Sequence, residues 1–258
     1  MTRVDLEGAL RSSRAKGRKL LVPYLTGGLG DWTRAVEAAV AAGADAVEIG
    51  IPFSDPAMDG PVIQESSQRA LDAGATPSAI LDELARLDVD VPMVVMCYYN
   101  TIHHAGLERF AASLARAGVA GAIVPDLPLE ESGPWTRAAD AESIDTVMLA
   151  SPITPDERLP RICERARGFV YSVGLLGVTG ERAELAATAT VLAARLKKVT
   201  DRPVLIGVGV SSPDQAVEAC SVADGVVMGA SVVRRFLEGG PDGVGAFVGA
   251  VRSSLDAI

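Results

Sequence analysis

Two hydrophobic patterns alternate along the chain. Short apolar runs, often β-branched, read as buried parallel strands. They are expected at Lys19–Leu25, Ala46–Ile51, Pro92–Tyr98, Gly121–Pro125, Thr146–Ala150, Phe169–Val173, Pro203–Val208 and Gly225–Met228. Longer runs with apolar residues three and four apart read as amphipathic helices. A first helix is expected over 3–17, with Val4, Leu6 and Leu10 on one side. Others are expected over Trp32–Ala42 behind an Asp31 cap, Val62–Ala73, Pro77–Leu87 behind a Thr76 cap, Leu107–Ala117 and Glu130–Ala141. The series continues over Asp156–Arg165, Ala183–Val199, Pro213–Val222, Ser231–Leu237 and Val244–Leu255.

Strands that alternate with helices pair in parallel and are joined by right-handed crossovers. Eight such units in 258 residues match a (β/α)8 TIM barrel with an extra N-terminal helix. An open doubly wound sheet is the alternative. It is disfavoured because no G-x-G-x-x-G follows the first strand. No linker, low-complexity run or charge block divides the chain, so residues 1–258 read as one domain.

In a barrel, reacting groups stand at the carboxyl ends of the strands. The second strand stands out: Ala46 to Pro61 reads A-V-E-I-G-I-P-F-S-D-P-A-M-D-G-P. Glu48 interrupts a buried strand, where a carboxylate is costly unless paired or used. It is either ion-paired to a neighbouring strand, or exposed on an edge, or a catalytic acid/base faced by Asp59 from the next loop. Tyr24, Tyr98, Tyr99, Asn100, Asp126 and Tyr171 fall at or near other strand ends. Aromatics are only 4% of the chain, so several at one rim suggest a planar apolar ligand; the plainer reading is ordinary core tyrosine. Glycines cluster in the late loops, at Gly177-Val178-Thr179-Gly180, Gly207-Val208-Gly209 and Gly229-Ala230-Ser231. Barrels bind phosphate with the loops after strands seven and eight and a helix N-terminus; the alternative is that glycine only makes tight turns.

Other chemistry is hard to assemble. His103 and His104, the only histidines, are adjacent and read as loop residues rather than a metal pair. Asp126 also reads as a helix cap. No Ser-His-Asp set suggests itself. The lysines, Lys16, Lys19, Lys197 and Lys198, lie away from strand ends, which argues against a Schiff base. The net charge of −9 argues against nucleic acid and anionic membranes, but backbone amides still allow a phosphorylated small molecule. Cys97, Cys163 and Cys220 form no C-x-x-C pair and read as reduced, semi-buried thiols of a cytoplasmic protein. No leader and no membrane span are expected from the apolar pattern.

The stretch E-I-G-I-P-F-S-D-P-A-M-D-G-P, Glu48 to Pro61, resembles the signature of the tryptophan synthase alpha subunit family. Supporting matches are Pro23-Tyr24, Tyr99-Asn100, Asp126 to Ser132, Gly168 to Tyr171, Gly177 to Gly180, Gly207 to Pro213 and Gly225 to Gly229. The resemblance spans nearly the whole chain. It implies a (β/α)8 barrel that cleaves indole-3-glycerol phosphate, by a retro-aldol reaction, to indole and glyceraldehyde 3-phosphate. It implies Glu48 as acid/base and Asp59 as acceptor of the indole N–H. The ring would lie among Tyr24, Ile63, Leu127, Tyr171 and Val208, and the phosphate on the amides of Gly180, Gly209, Gly229 and Ala230. Thr179 would close over the site. It implies no cofactor in this chain, with pyridoxal phosphate only in a beta subunit of an alpha2beta2 complex. Several positions depart from the family pattern: Asn100-Thr101 where Asn-Pro is frequent, Gly229-Ala230 for Gly-Ser, Gly174-Leu175-Leu176 before Gly177, and Leu29-Gly30-Asp31 after Gly28. They lie at the mouth where the family meets its beta subunit. A stand-alone lyase releasing free indole for secondary metabolism, or a weakly catalytic subunit that activates a partner, are the alternatives. A different phosphate-binding barrel, such as an isomerase, would call for a Lys or His base at a strand end.

Overall fold

The computed structural model describes residues 5–174, 187–207 and 209–258. The elements run α1 (Leu6–Ala15), β1 (Leu20–Thr26), α2 (Trp32–Ala41), β2 (Val47–Gly50), α3 (Pro61–Asp72), α4 (Pro77–Leu84), β3 (Met93–Met96), α5 (Tyr99–Ala105), α6 (Leu107–Arg116) and β4 (Gly121–Ile123). They continue with α7 (Gly133–Ala141), β5 (Asp145–Ala150), α8 (Leu159–Arg165), β6 (Val170–Val173), α9 (Ala187–Lys197), β7 (Val204–Gly207), α10 (Pro213–Cys220), β8 (Gly225–Met228) and α11 (Ala230–Leu255). The strands pair in parallel, in order, and β8 returns to β1, which closes the barrel.

Alternation along each strand divides two cores. Leu20, Val22, Ala46, Val94, Ile123, Val147, Phe169, Leu205 and Val227 fill the barrel interior. Their neighbours Leu21, Val47, Ile49, Val95, Val170 and Ile206 face the helices. Period-two side-chain placement therefore puts Glu48 on the same inward face as Ala46, and Tyr24 on the face of Leu20 and Val22. Leu6 and Leu10 of α1 belong to the interior cluster and close its amino-terminal end. Charges hold α1 there. The Glu7 carboxylate accepts Arg11 Nε at 2.9 Å and the Gly168 amide at 3.2 Å, and Asp145 accepts the Glu7 amide at 3.1 Å.

Some expectations need correcting. His103 and His104 are not loop residues; they lie in α5, which begins right after the buried Tyr98. The signal for that helix is remote: Asp126, after β4, accepts the Tyr99 amide at 2.8 Å. Asp126 thus caps a helix, but the one belonging to the preceding unit. Asp31 stands at the start of α2 without making a side-chain cap, and its carboxylate lies 3.9 Å from Arg34. Thr76 does cap α4 through the Ala79 amide. α7 and α8 start three residues later than expected, each with proline in its first turn, where the missing N–H costs nothing. The two last helices do form as expected, on either side of a break at Gly240, whose φ of 58° and ψ of −152° suit glycine ahead of Pro241. The three cysteines are fully buried rather than semi-buried.

Candidate functional site

Glu48 is 1% exposed, inside a closed barrel, and has no edge to escape to. Its neighbours across the sheet are Tyr24 on β1 and Val94 on β3, so neither adjacent strand supplies a cation. The ion-pair and edge-strand readings therefore fail. Among the described residues its Oε2 has no hydrogen-bond partner. Burial, and secondarily the Asp59 carboxylate, push its pKa up to about 8. The group is a protonated acid near neutral pH, and one that has a free oxygen.

Asp59 reaches the same mouth from the loop between β2 and α3. Burial raises it to about 6, while a hydrogen bond from Tyr98 pulls the other way. At neutral pH it is mostly the ionised member of the pair. Two carboxyl groups with separated titrations can give a proton and stabilise positive charge at the same moment. The loop is held at its end by Gln64, whose Nε2 donates to the Asp59 carbonyl at 2.7 Å.

An apolar surface lies beside them. Tyr24 and Ile63 pack with Val233 of α11, and Met96 touches both this cluster and the barrel interior that contains Tyr171. The structure thus brings together Tyr24, Ile63 and, across Met96, Tyr171. Val233 and Met96 are absent from the sequence-based set; Val233 was legible only as one position on an expected helix. Tyr24 and Tyr171 crowd strand-end glycines: a Cβ on Gly50 would overlap Tyr24, and one on Gly207 would overlap Tyr171. Leu127 is placed apart from that cluster. It packs against the outer core and lines a cavity of about 220 Å³ with Asp126, Met148, Leu149 and Arg158.

Of the expected phosphate site, Gly209, Gly229 and Ala230 are described. Gly209 has φ of 94° with open space where a Cβ would be. Gly229 is the N-cap of α11 and Ala230 its first residue, so the amides of the first turn are directed outward from the helix start. The Ser231 hydroxyl is buried and donates to the Val210 carbonyl at 3.3 Å, which ties the helix start to the loop after β7. Thr179, Gly180 and Val208 lie outside the described residues. Among the described residues no cluster of His, Cys, Asp and Glu could hold a metal ion, and no helix is long and apolar enough to cross a membrane.

The family model described as tryptophan synthase alpha chain matches residues 10–243. The tryptophan synthase alpha chain of Thermobifida fusca is 45% identical over 240 residues, covering 90% of this chain and 89% of that one. That of Streptomyces coelicolor is 42% identical over 245 residues, covering 93% and 90%. Among solved structures, tryptophan synthase of Mycobacterium tuberculosis superposes with a TM-score of 0.90 at 35% identity, over 97% of both chains. The alpha subunit of tryptophan synthase from Legionella pneumophila does so with a TM-score of 0.88 at 29% identity, over 100% of both.

Proposed function

The chain belongs to the tryptophan synthase alpha chain family, whose lyases cleave indole-3-glycerol phosphate in tryptophan biosynthesis, and from that premise we propose how its own residues divide the reaction. Glu48 gives its proton to indole C3 and takes one from the glycerol hydroxyl on the carbon next to the ring. The bond between C3 and that carbon breaks, the carbon becomes the aldehyde of glyceraldehyde 3-phosphate, and indole leaves. Positive charge gathers at the indole nitrogen once C3 is protonated. Asp59 accepts that N–H and stabilises the charge. The observation that carries the reading is the Oε2 of Glu48, without a partner among the described residues, in a barrel interior and protonated near neutral pH. An acid/base of that kind contributes about 10²–10⁴-fold in rate.

Tyr24, Ile63 and Tyr171 offer the ring an apolar wall, with Val208 assigned to it as well, whereas Leu127, packed on the outer core, stands apart from it. The amides of Gly180, Gly209, Gly229 and Ala230 hold the phosphate at the start of α11, where the helix dipole favours an anion. Thr179 closes over the bound substrate and meets Asp59. One barrel domain carries all of this, in the cytoplasm and without a cofactor of its own. Condensation of the released indole with serine, which requires pyridoxal phosphate, falls to a beta partner in an alpha2beta2 assembly. The four lysines support that division: Lys16 and Lys19 precede β1, and Lys197 and Lys198 lie at the end of α9, all at the barrel end opposite Glu48.

Indole release from indole-3-glycerol phosphate tests the reading, with and without a beta chain, beside Glu48→Gln. Turnover that rises on adding the beta chain and vanishes in the variant is expected. Fast turnover of the chain alone points to a stand-alone lyase, and no indole under either condition overturns the assignment.

A further inference from the structure

Tyr98 is buried after β3, at the position just before α5. Its ring stacks on Phe53 of the loop after β2, with centroids 5.1 Å apart and planes at 27°. Its hydroxyl accepts the Met58 amide at 3.0 Å and also bonds the Asp59 carboxyl. A phenol has one proton to donate, and since the amide of Met58 donates to it, that proton goes to Asp59. One side chain therefore grips residues 53, 58 and 59 of a single loop. Tyr98 is itself braced, because Asp126 after β4 holds the next amide at 2.8 Å.

We propose that Tyr98 is a positioning residue for Asp59: its hydroxyl fixes the direction of the carboxylate in the mouth as substrate arrives. The proposal rests on the role given to Asp59 above. A hydrogen bond donated to a carboxylate favours the charged form, and here it opposes the burial that raises Asp59. Burial pushes the Tyr98 hydroxyl up to about 12, so it remains a donor throughout the working range. Among the described residues, the other titratable groups around Asp59 are Tyr24 from β1 and Glu48 from β2, and Asp126 acts on Tyr98 from β4. None of these donates a proton to Asp59 at neutral pH in the way Tyr98 does. Charge-assisted bonds of this kind also set geometry, since the donor direction is fixed by a stacked ring.

The test is Tyr98→Phe in the full chain, which keeps the ring and removes one oxygen. Two readouts are needed: the titration of the Asp59 carboxyl by carbon NMR, with Asp59→Asn identifying its resonance, and the pH profile of indole release. The Asp59 midpoint is expected to rise by roughly half a unit or more, and the acid limb of kcat/KM to move with it. At pH 6 kcat falls about twofold or more while KM changes by less than about twofold, the pattern of a contact that matters in the transition state. Phe53→Leu, which loosens the stack and leaves the hydroxyl, moves the midpoint the same way by less. An unmoved Asp59 midpoint in both variants overturns the proposal. A shifted midpoint in a chain whose wild type releases no indole upholds the positioning and sinks the substrate assignment instead.

Discussion

Glu48 lies deeper than Asp59, and depth separates their titrations. Both are raised by burial first, to about 8 and about 6. The proposed chemistry needs Asp59 ionised and Glu48 protonated, so kcat/KM rises with pH as Asp59 loses its proton and falls as Glu48 loses its own. A bell with limbs near those two values is expected from initial rates across pH 5 to 9, the limbs belonging to the coupled pair. Glu48→Gln removes both activity and a liability. An exposed glutamate titrates near 4.5, so above that value the unfolded chain sheds a proton that the folded chain keeps until about 8. The stability contributed by keeping it is complete below the lower value and is lost as pH rises through the upper one. Glu48→Gln is therefore expected to melt above the wild type at pH 9 and much closer to it at pH 5, which calorimetry at the two values decides. The sequence exposed this residue because an acid in an apolar strand breaks a pattern. It also placed Tyr98 at the rim but hid what Tyr98 holds, since nothing in the sequence reveals which amide a hydroxyl will meet.

Among the elements, strands were legible almost everywhere because each is buried on both faces and bounded by glycine, proline or charge. Helix starts were less so. α5 has seven residues and takes its cap from Asp126, twenty-seven positions from the amide it accepts, which no local rule can register. The close packing of strand ends was equally invisible: Gly50 reads as a strand residue, yet Tyr24 occupies the place of its side chain. Gly50→Ala is expected to displace the Tyr24 ring, raising KM for the substrate and costing about 1–3 kcal/mol of stability by urea unfolding. At the other end α1 acts as a plug through Leu6, which sits against Gly121 and Gly168. Leu6→Ala is expected to lower stability by about 2–5 kcal/mol in the same assay, with kcat of the folded fraction unchanged.

Across the whole molecule, the amino-terminal end of the barrel is given to charge and the carboxyl-terminal end to chemistry. Asp45, buried before β2, accepts the Leu21 amide at 2.9 Å, Arg18 Nε at 2.7 Å and Arg252 Nη1 at 3.3 Å, and Arg252 also holds the Lys19 carbonyl at 2.7 Å. Arg252, near the end of α11, so fastens the last helix to the first strands. Removing Arg252 leaves Asp45 with Arg18 and the Leu21 amide, so the cost is that of the charge-assisted bonds lost, about 1.5–3 kcal/mol. Arg252→Ala is expected to show that loss by urea unfolding while the pH limbs of catalysis stay in place, because the lock lies away from the mouth. Composition and period gave the closed barrel; such long-range locks depend on which distant charges the closure brings together. The burial of Cys97, Cys163 and Cys220 has a further consequence. A maleimide dye offered to the folded chain meets no accessible thiol, so the native protein should stay dark. Ser54→Cys, on the exposed stretch of the loop that carries Asp59, would then take the fluorophore alone and report that loop's movement in real time, with no need to strip the chain of its own cysteines.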